Sequence, residues 1–264
     1  MLELNKIHLG DCLDLMGDIP DKSVDMILCD LPYKVTEFLW DSEIDLSLLW
    51  GHYKRVLKLT GSVVLTSLGR FTFELYASNP KWYKYMWIWI KTRGSGSFPH
   101  AKNRPLGKHE EILVFSGGAI AHKSLSKRRM VYNPQGLKFN PKKSFRPNRS
   151  KRHNASKGPR PSDVDGHIQE YENYPNTILE FANPNTNSLH KTQKPVALFS
   201  YLIKTYSNEG NVILDNCIGS GTTAISALET GRQFIGIEKD KEYHRVAVER
   251  VEKYKSEYKQ GQLL

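Results

Sequence analysis

Seven short apolar runs, each four to six residues long and separated by stretches with a helical repeat, set the limits on how this chain can fold. They are Lys6–Leu9, Val24–Cys29, Ser62–Thr66, Met86–Ile90, Glu111–Phe115, Asn211–Leu214 and Gln233–Ile237. Runs this short and this apolar predict strands buried on both faces. Between them, apolar residues recur three or four apart over Leu46–Leu57, Val196–Tyr206, Thr222–Glu229 and Lys241–Tyr258, which predicts helices. Strand–helix alternation predicts an α/β fold: a Rossmann-like, seven-stranded, mostly parallel sheet with helices on both faces.

The break between the fifth and sixth runs carries the charge. From Ile112 to Ser162 there is no Asp or Glu, and Lys123–Arg160 holds thirteen Lys or Arg against a net charge of +10 for all 264 residues. The rest of the chain is therefore slightly acidic. Lys123, Lys127, Arg128, Arg129, Lys138, Lys142, Lys143, Arg146, Arg149, Lys151 and Arg152 are the candidate contacts to a phosphate backbone. Pro134, Pro141, Pro147, Pro159 and Pro161 exclude a long helix there. Tyr132, Phe139 and Phe145 are available to stack on bases or to fill a small core. Such unopposed charge inside a folded chain favours nucleic acid, and composition leaves DNA and RNA both open.

Other classes drop out. No apolar run approaches the roughly 18 residues of a spanning helix, and the opening MLELNKIHLGD does not read as a signal peptide. Cys12, Cys29 and Cys217 are too few and too scattered for a disulfide framework or a zinc cage, so no metal is expected. A soluble protein of a reducing compartment is the expectation.

Two segments carry chemistry. Val212–Ala224 reads as a buried strand, a Gly219-x-Gly221 turn and a small-residue helix, with Glu238 nineteen residues after Gly219 at the end of the next strand. Glycines admit close approach of a ligand to the backbone, a helix start offers free N–H groups, and a carboxylate at that place can accept both hydroxyls of a ribose. The loop also fits a dinucleotide fingerprint. Asp215, four residues before Gly219, suits a cofactor with an ammonium group better than a pyrophosphate, which favours S-adenosylmethionine. The second segment is Val24–Tyr33, where an apolar strand delivers Asp30 to its carboxyl edge, followed by Leu31, Pro32 and Tyr33. Pro32 stiffens the turn, and Tyr33 presents an aromatic face beside the carboxylate.

Asp30-Leu-Pro-Tyr33 resembles the (D/N/S)-P-P-(Y/F) motif of amino-methyltransferases, and Asp215–Thr223 resembles their S-adenosylmethionine loop. The catalytic motif precedes the cofactor loop, a circularly permuted order similar to that of the beta-class DNA adenine-N6 methyltransferases. Gly10–Met16, Lys22–Asp25, His109–Phe115 and the His190-Lys-Thr-Gln-Lys-Pro195 element also resemble that class. Leu31 replaces the usual first proline, and Lys191 stands where proline is common.

The resemblance implies a catalytic half over 1–116, a basic target-recognition insertion over 117–185 and a cofactor half over 186–264. It implies methyl transfer from S-adenosylmethionine to the exocyclic N6 amine of adenine in specific sites of double-stranded DNA, by base flipping and direct in-line transfer. Asp30 and the Leu31 carbonyl would accept amino protons, Pro32 would fix their distance to Tyr33, and Tyr33 would stack on the flipped base. Asp11 and Cys12 would meet the cofactor's adenine and Glu238 its ribose. Asp215, Cys217, Gly219, Ser220, Gly221 and Thr222 would line its methionine side, with Thr192 and Lys194 at its carboxylate. Cys29 is read as a core thiol, and His109 and His190 as structural. Cytosine-N4 methylation, an RNA or protein substrate, and an idle DNA-binding protein are the alternatives. A homodimer and a cognate restriction endonuclease are candidate partners, a membrane is not, and the cytoplasm of a bacterial or phage-infected cell is the expected location.

Overall fold

Strand β2 (Val24–Cys29) alternates between two cores. Met26 and Leu28 enter one apolar cluster, Ile27 and Cys29 the other, and all four are fully buried. Cβ atoms alternate across a strand, so each strand in the middle of the sheet must be apolar on both sides. Val63–Leu65 and Ile112–Phe115 repeat the pattern, dividing their side chains between the same clusters.

The computed structural model of the protein describes residues 1–32, 44–95, 101–120, 127–146, 167–183 and 193–261. In chain order the remaining strands are β1 (Lys6–Leu9), β3 (Leu57–Ser67), β4 (Tyr83–Ser95), β5 (Gly107–Ser116), β6 (Lys138–Arg146), β7 (His167–Glu172), β8 (Ile178–Phe181), β9 (Val212–Asp215) and β10 (Gln233–Glu238). The helices are α1 (Cys12–Leu15), α2 (Leu46–Val56), α3 (Arg70–Ser78), α4 (Val196–Tyr206), α5 (Thr222–Glu229) and α6 (Lys241–Gly261). Buried residues of α1, α2 and α3 line one face of the sheet, and those of α4, α5 and α6 the other.

The main sheet has the order β1-β10-β9-β2-β3-β5-β4-β8, with β5 antiparallel to both of its neighbours and every other pairing parallel. All seven apolar runs are strands of this sheet. The eighth, β8, lies within the 117–185 segment and has only one buried residue, Leu179, which leaves no apolar run to read. From β2 the chain moves to β3 on one side, and from β9 to β10 on the other. The boundary between β2 and β9 is thus a topological switch point, where open α/β sheets leave a crevice outside the carboxyl ends of their strands. Asp30 and the glycine loop both emerge there.

The chain divides into two compact units, Met1–Asn133 with Thr177–Leu264, and Pro134–Asn176. The second is a two-stranded antiparallel sheet of β6 and β7, in which Phe139 and Tyr171 are register partners with ring centroids 5.9 Å apart. Gly136 and Asn173 take left-handed backbone conformations, and the Asn173 side chain donates to the Gly136 carbonyl at 2.7 Å.

Strand β2 shifts register between Val24 and Met26, and Asp25 repairs the irregularity. Its carboxylate accepts from the Val212 N–H of β9 at 3.0 Å and pairs with Lys58 of β3 at 2.7 Å. Gly61 packs against this point: a Cβ there would lie 2.6 Å from the Asp25 carbonyl and 2.8 Å from Leu57. Gly61→Ala is expected to force β2 and β3 apart and cost about 1–3 kcal/mol, read as a lower urea midpoint at unchanged slope.

Candidate active site

Asp30 follows directly on the buried run of β2, and its side chain is 24% exposed. Cys29 is the register partner of Leu65, so Thr66 stands beside Asp30 on the adjacent strand. The Thr66 hydroxyl donates to Asp30 Oδ1, and Lys194 Nζ lies 3.0 Å from Oδ2. The carboxylate is therefore held on both oxygens. Leu31, the departure from a Pro-Pro pair, is buried in the cluster that contains Met16 and Leu49. The turn after Asp30 is anchored by burial where a second pyrrolidine ring would stiffen it. Tyr33 and Thr192 lie outside the described residues.

Lys194 does not end at Asp30. Its ammonium also lies 2.9 Å from Glu110 Oε2 on β5, and Glu110 Oε1 is 2.5 Å from Lys91 Nζ on β4. Lys91, Glu110 and Lys194 have side chains only 7–8% exposed, so an alternating chain of charge, Lys91–Glu110–Lys194–Asp30, runs inside the protein. Burial pushes the Lys194 ammonium down, but Asp30 and Glu110 outweigh it and hold the group above its ordinary value. Burial likewise pushes Glu110 up, and Lys194 and Lys91 reverse it, keeping the carboxyl below its usual range. Lys91, Glu110 and Thr66 are site residues that the sequence reading does not reach. The available signal is a lone Lys after Met86–Ile90 and a Glu just ahead of Ile112–Phe115, each a charge on a strand of apolar neighbours that demands a partner.

On the other side of the switch point, β9 ends in Asp215. Its Oδ2 accepts from the Thr223 hydroxyl in the first turn of α5, and its Oδ1 accepts from the Cys217 N–H at 3.1 Å. Asp215 thus braces the glycine loop from below. Burial pushes its carboxyl up to about 7, against the hydrogen bonds from Thr223, Cys217 and Cys29. Gly219 and Gly221 have φ of 53° and 82°, the left-handed region that glycine enters without strain. Glu238, at the end of β10, accepts from Gly219 N–H at 2.8 Å and Asp240 N–H at 2.9 Å, and burial raises its carboxyl above the ordinary range. Asp11 caps α1 through the Leu13 N–H at 2.9 Å and pairs with Lys239, also at 2.9 Å.

Arg250 of α6 is a further residue without a sequence signal. It donates to the Ser220 carbonyl at 2.9 Å and to the Ser220 and Thr222 hydroxyls at 3.2 Å, clamping the loop to the last helix. Thr222 Oγ1 in turn lies 3.5 Å from the Lys194 carbonyl, which ties α5 to the segment that carries the lysine. Asn216 donates towards Cys12 Sγ at 3.6 Å and Cys217 Sγ at 3.5 Å, and accepts from the Tyr53 hydroxyl at 2.6 Å. Burial pushes the Cys29 thiol up to about 12, so at neutral pH it is a packed thiol and no nucleophile.

Of the basic residues, Lys127, Arg128, Arg129 and Lys138 are exposed, and Lys142, Lys143 and Arg146 fall on β6. Lys123, Arg149, Lys151 and Arg152 lie outside the described residues. Phe139 and Tyr174 are about 60% exposed and Tyr171 is 41% exposed. Tyr132 instead packs against the main core beside Tyr206. Among the described residues no group of three His, Cys, Asp or Glu could hold a metal, and no helix is long and apolar enough to cross a membrane.

A family model described as DNA methylase matches residues 24–249. The type II methyltransferase M1.MboII of Moraxella bovis is 29% identical over 263 residues, covering 92% of this chain and 95% of that protein. The DNA adenine methyltransferase YhdJ of Escherichia coli K12 is 28% identical over 272 residues, covering 95% and 83%. Among solved structures, the M1.HpyAVI–SAM complex aligns at a TM-score of 0.59 with 22% identity, covering 93% of this chain and 98% of that one. The cytosine-N4-specific PvuII DNA methyltransferase aligns at 0.63 with 15% identity, covering 96% and 91%. At these identities the structural likeness speaks for the fold.

Asp215 gives a pH signature. Its carboxyl is raised from 3.8 to about 7 in the folded protein, so the folded state keeps a proton that the unfolded chain has released. Its contribution to stability is full below pH 4 and is lost as pH rises through about 7. Asp215→Asn, which cannot ionise, is expected to gain on the wild type by more than about 4 °C in Tm between pH 5 and 7, read from paired melting curves.

Proposed function

The chain belongs to the DNA methylase family, the N6 and N4 amino-methyltransferases, and from that footing we propose that it methylates the N6 amine of adenine at specific sites in double-stranded DNA. The observation that carries the proposal is Asp30: a carboxylate at the switch point, held by Thr66 and Lys194, on the strand next to the one that leads into the glycine loop. Adenine is favoured over cytosine by the Asp at this position, where amino-methyltransferases acting on cytosine more often carry Ser. The relative named as a DNA adenine methyltransferase supports the same choice.

S-adenosylmethionine, the methyl donor, supplies an electrophilic methyl on a sulfonium. The loop suits it. A Cβ at Gly219 would meet nothing within 4 Å, so the backbone there faces open space, and the Glu238 carboxylate accepts from the Gly219 N–H beside it. Glu238 is assigned to the ribose, Asp11 and Cys12 to the adenine side, and Asp215, Cys217, Gly219, Ser220, Gly221 and Thr222 to the methionine side, with Thr192 beside its carboxylate.

The chain's own residues then act on the substrate amine. That nitrogen is a poor nucleophile because its lone pair is delocalised into the ring. Asp30 and the Leu31 carbonyl each accept a hydrogen bond from one of its N–H groups, which draws the nitrogen towards tetrahedral geometry and stabilises the positive charge that grows on it. After transfer, the surplus proton leaves through Asp30. Pro32 sets the distance to Tyr33, on which the flipped base stacks. The rest of the rate enhancement is positioning.

The basic segment within 117–185 is assigned to target recognition, with its lysines and arginines on phosphates and the exposed Phe139–Tyr171 pair against bases. The bacterial type II relatives support a cytoplasmic setting, with a second copy and a cognate endonuclease as further partners.

The test is incubation with unmethylated duplex DNA and isotopically labelled S-adenosylmethionine, then digestion to nucleosides and mass spectrometry. Label is expected in N6-methyldeoxyadenosine; label in deoxycytidine would move the assignment to the cytosine N4 amine. Asp30→Ala is expected to lower transfer by at least about 1,000-fold with cofactor Kd within about threefold of wild type. Cofactor binding that collapses with it would overturn the role given to Asp30. Neutralising Lys127, Arg128, Arg129, Lys142 and Lys143 should flatten the log–log salt dependence of DNA binding by about 0.9 for each phosphate no longer neutralised. Phe139→Ala should weaken binding with the salt slope unchanged, since a stacking ring displaces no counterion.

A further inference from the structure

We infer that Lys194 is the positioning residue of Asp30, and that Lys91 and Glu110 set where its charge rests. The inference rests on the reading of Asp30 as the acceptor of the amine protons. It gives Lys194 a task other than the cofactor carboxylate, to which the resemblance alone assigns it.

The geometry defines the task. Lys194 comes from the segment that opens α4, and its ammonium sits between Asp30 Oδ2 at 3.0 Å and Glu110 Oε2 at 2.9 Å. A cofactor carboxylate approaching this cation would bring a third anion to a site that already holds two. The four side chains Lys91, Glu110, Lys194 and Asp30 sum to zero formal charge, so Lys194 already has anionic partners within the protein. Three of the four are nine-tenths buried, and only Asp30, at the open end, is partly exposed.

The order of charges matters as much as their number. An ammonium bound to Asp30 alone would orient the carboxylate well but spend much of its negative potential, leaving a weak acceptor for an amine that becomes cationic as it reacts. Glu110 draws the same ammonium from the opposite side, so its charge is divided and Asp30 keeps acceptor strength. Lys91, 2.5 Å from the other oxygen of Glu110, keeps Glu110 ionised and in place. Thr66 on Oδ1 and Lys194 on Oδ2 orient the carboxylate, whose exposed edge would face the amine.

The experiment measures single-turnover methyl transfer to duplex DNA at saturating cofactor, with equilibrium binding of S-adenosylmethionine, for the full-length wild type and Lys194→Met, Lys194→Arg, Glu110→Gln and Asp30→Ala. Lys194→Met is expected to slow transfer by at least about 100-fold with cofactor Kd changed less than about threefold, and Lys194→Arg to recover at least about tenfold of the loss. Glu110→Gln, which removes one of the two anions beside the ammonium, is expected to slow transfer by about tenfold at unchanged Kd. Melting curves identify a Lys194→Met protein that does not fold, and Glu110→Gln and Lys194→Arg then carry the test. A cofactor Kd that rises as far as the rate falls in the Lys194 variants overturns the inference and returns the lysine to the cofactor carboxylate. So does a Glu110→Gln rate equal to wild type. A wild type that transfers no methyl to DNA, or an Asp30→Ala variant that still does, defeats the underlying reading instead, and the two failures are separate.

Discussion

Two short strands hold the functional half-chains together. Strand β9 pairs with β2 through Met26↔Ile213 and Ile27↔Leu214, and this ladder joins the first part of the chain to the last. Ahead of the ladder the Asp25 carboxylate, in place of a backbone carbonyl, accepts from the Val212 N–H. What keeps so small a ladder in place is burial. Met26, Ile27, Ile213 and Leu214 are fully inaccessible, and slipping by one residue would exchange every side chain between the two cores. Register here places Asp30 and Asp215 at one edge, and so places the chemistry.

Electrostatics at that edge follow a rule of compensation. Removing a charge from water is costly unless a partner replaces the solvent. The Lys91–Glu110–Lys194–Asp30 chain meets the requirement by alternating sign. Asp215 meets it differently. Its partners are a hydroxyl, an N–H and a thiol, with no cation among them, so burial pushes its carboxyl towards neutrality. Two carboxylates at the same sheet edge thus differ in their partners: Asp30 faces an ammonium, and Asp215 holds a loop by hydrogen bonds.

The sequence is most legible where a local pattern has one structural outcome. Val24–Cys29 reads as a two-sided strand because nothing else accommodates six such residues before a charged turn, and Gly219-x-Gly221 reads as a loop because of its backbone demands. The loop residues and Asp30 are legible on those grounds. Strand β8 stays hidden because its single buried residue gives no period. Lys91, Glu110 and Thr66 stay hidden because their meaning lies in a partner tens of residues away, which no window along the chain contains. Lys194 is recognisable as a site residue, yet the resemblance points it at the cofactor, whereas its ammonium lies between two carboxylates of the protein. Tyr132 lies within the basic segment in sequence, and the fold sends its ring into the main core.

The permuted strand order bears on biosynthesis. Strand β1 is made first, but its register partner β10 spans Gln233–Glu238, and the Arg250 clamp on the glycine loop comes later still. Pairings this distant in sequence close slowly and only once both ends exist. During synthesis the basic segment therefore leaves the ribosome well before the methyl-donor pocket can be assembled. A nascent chain can thus present its basic segment before the loop that Arg250 clamps is complete.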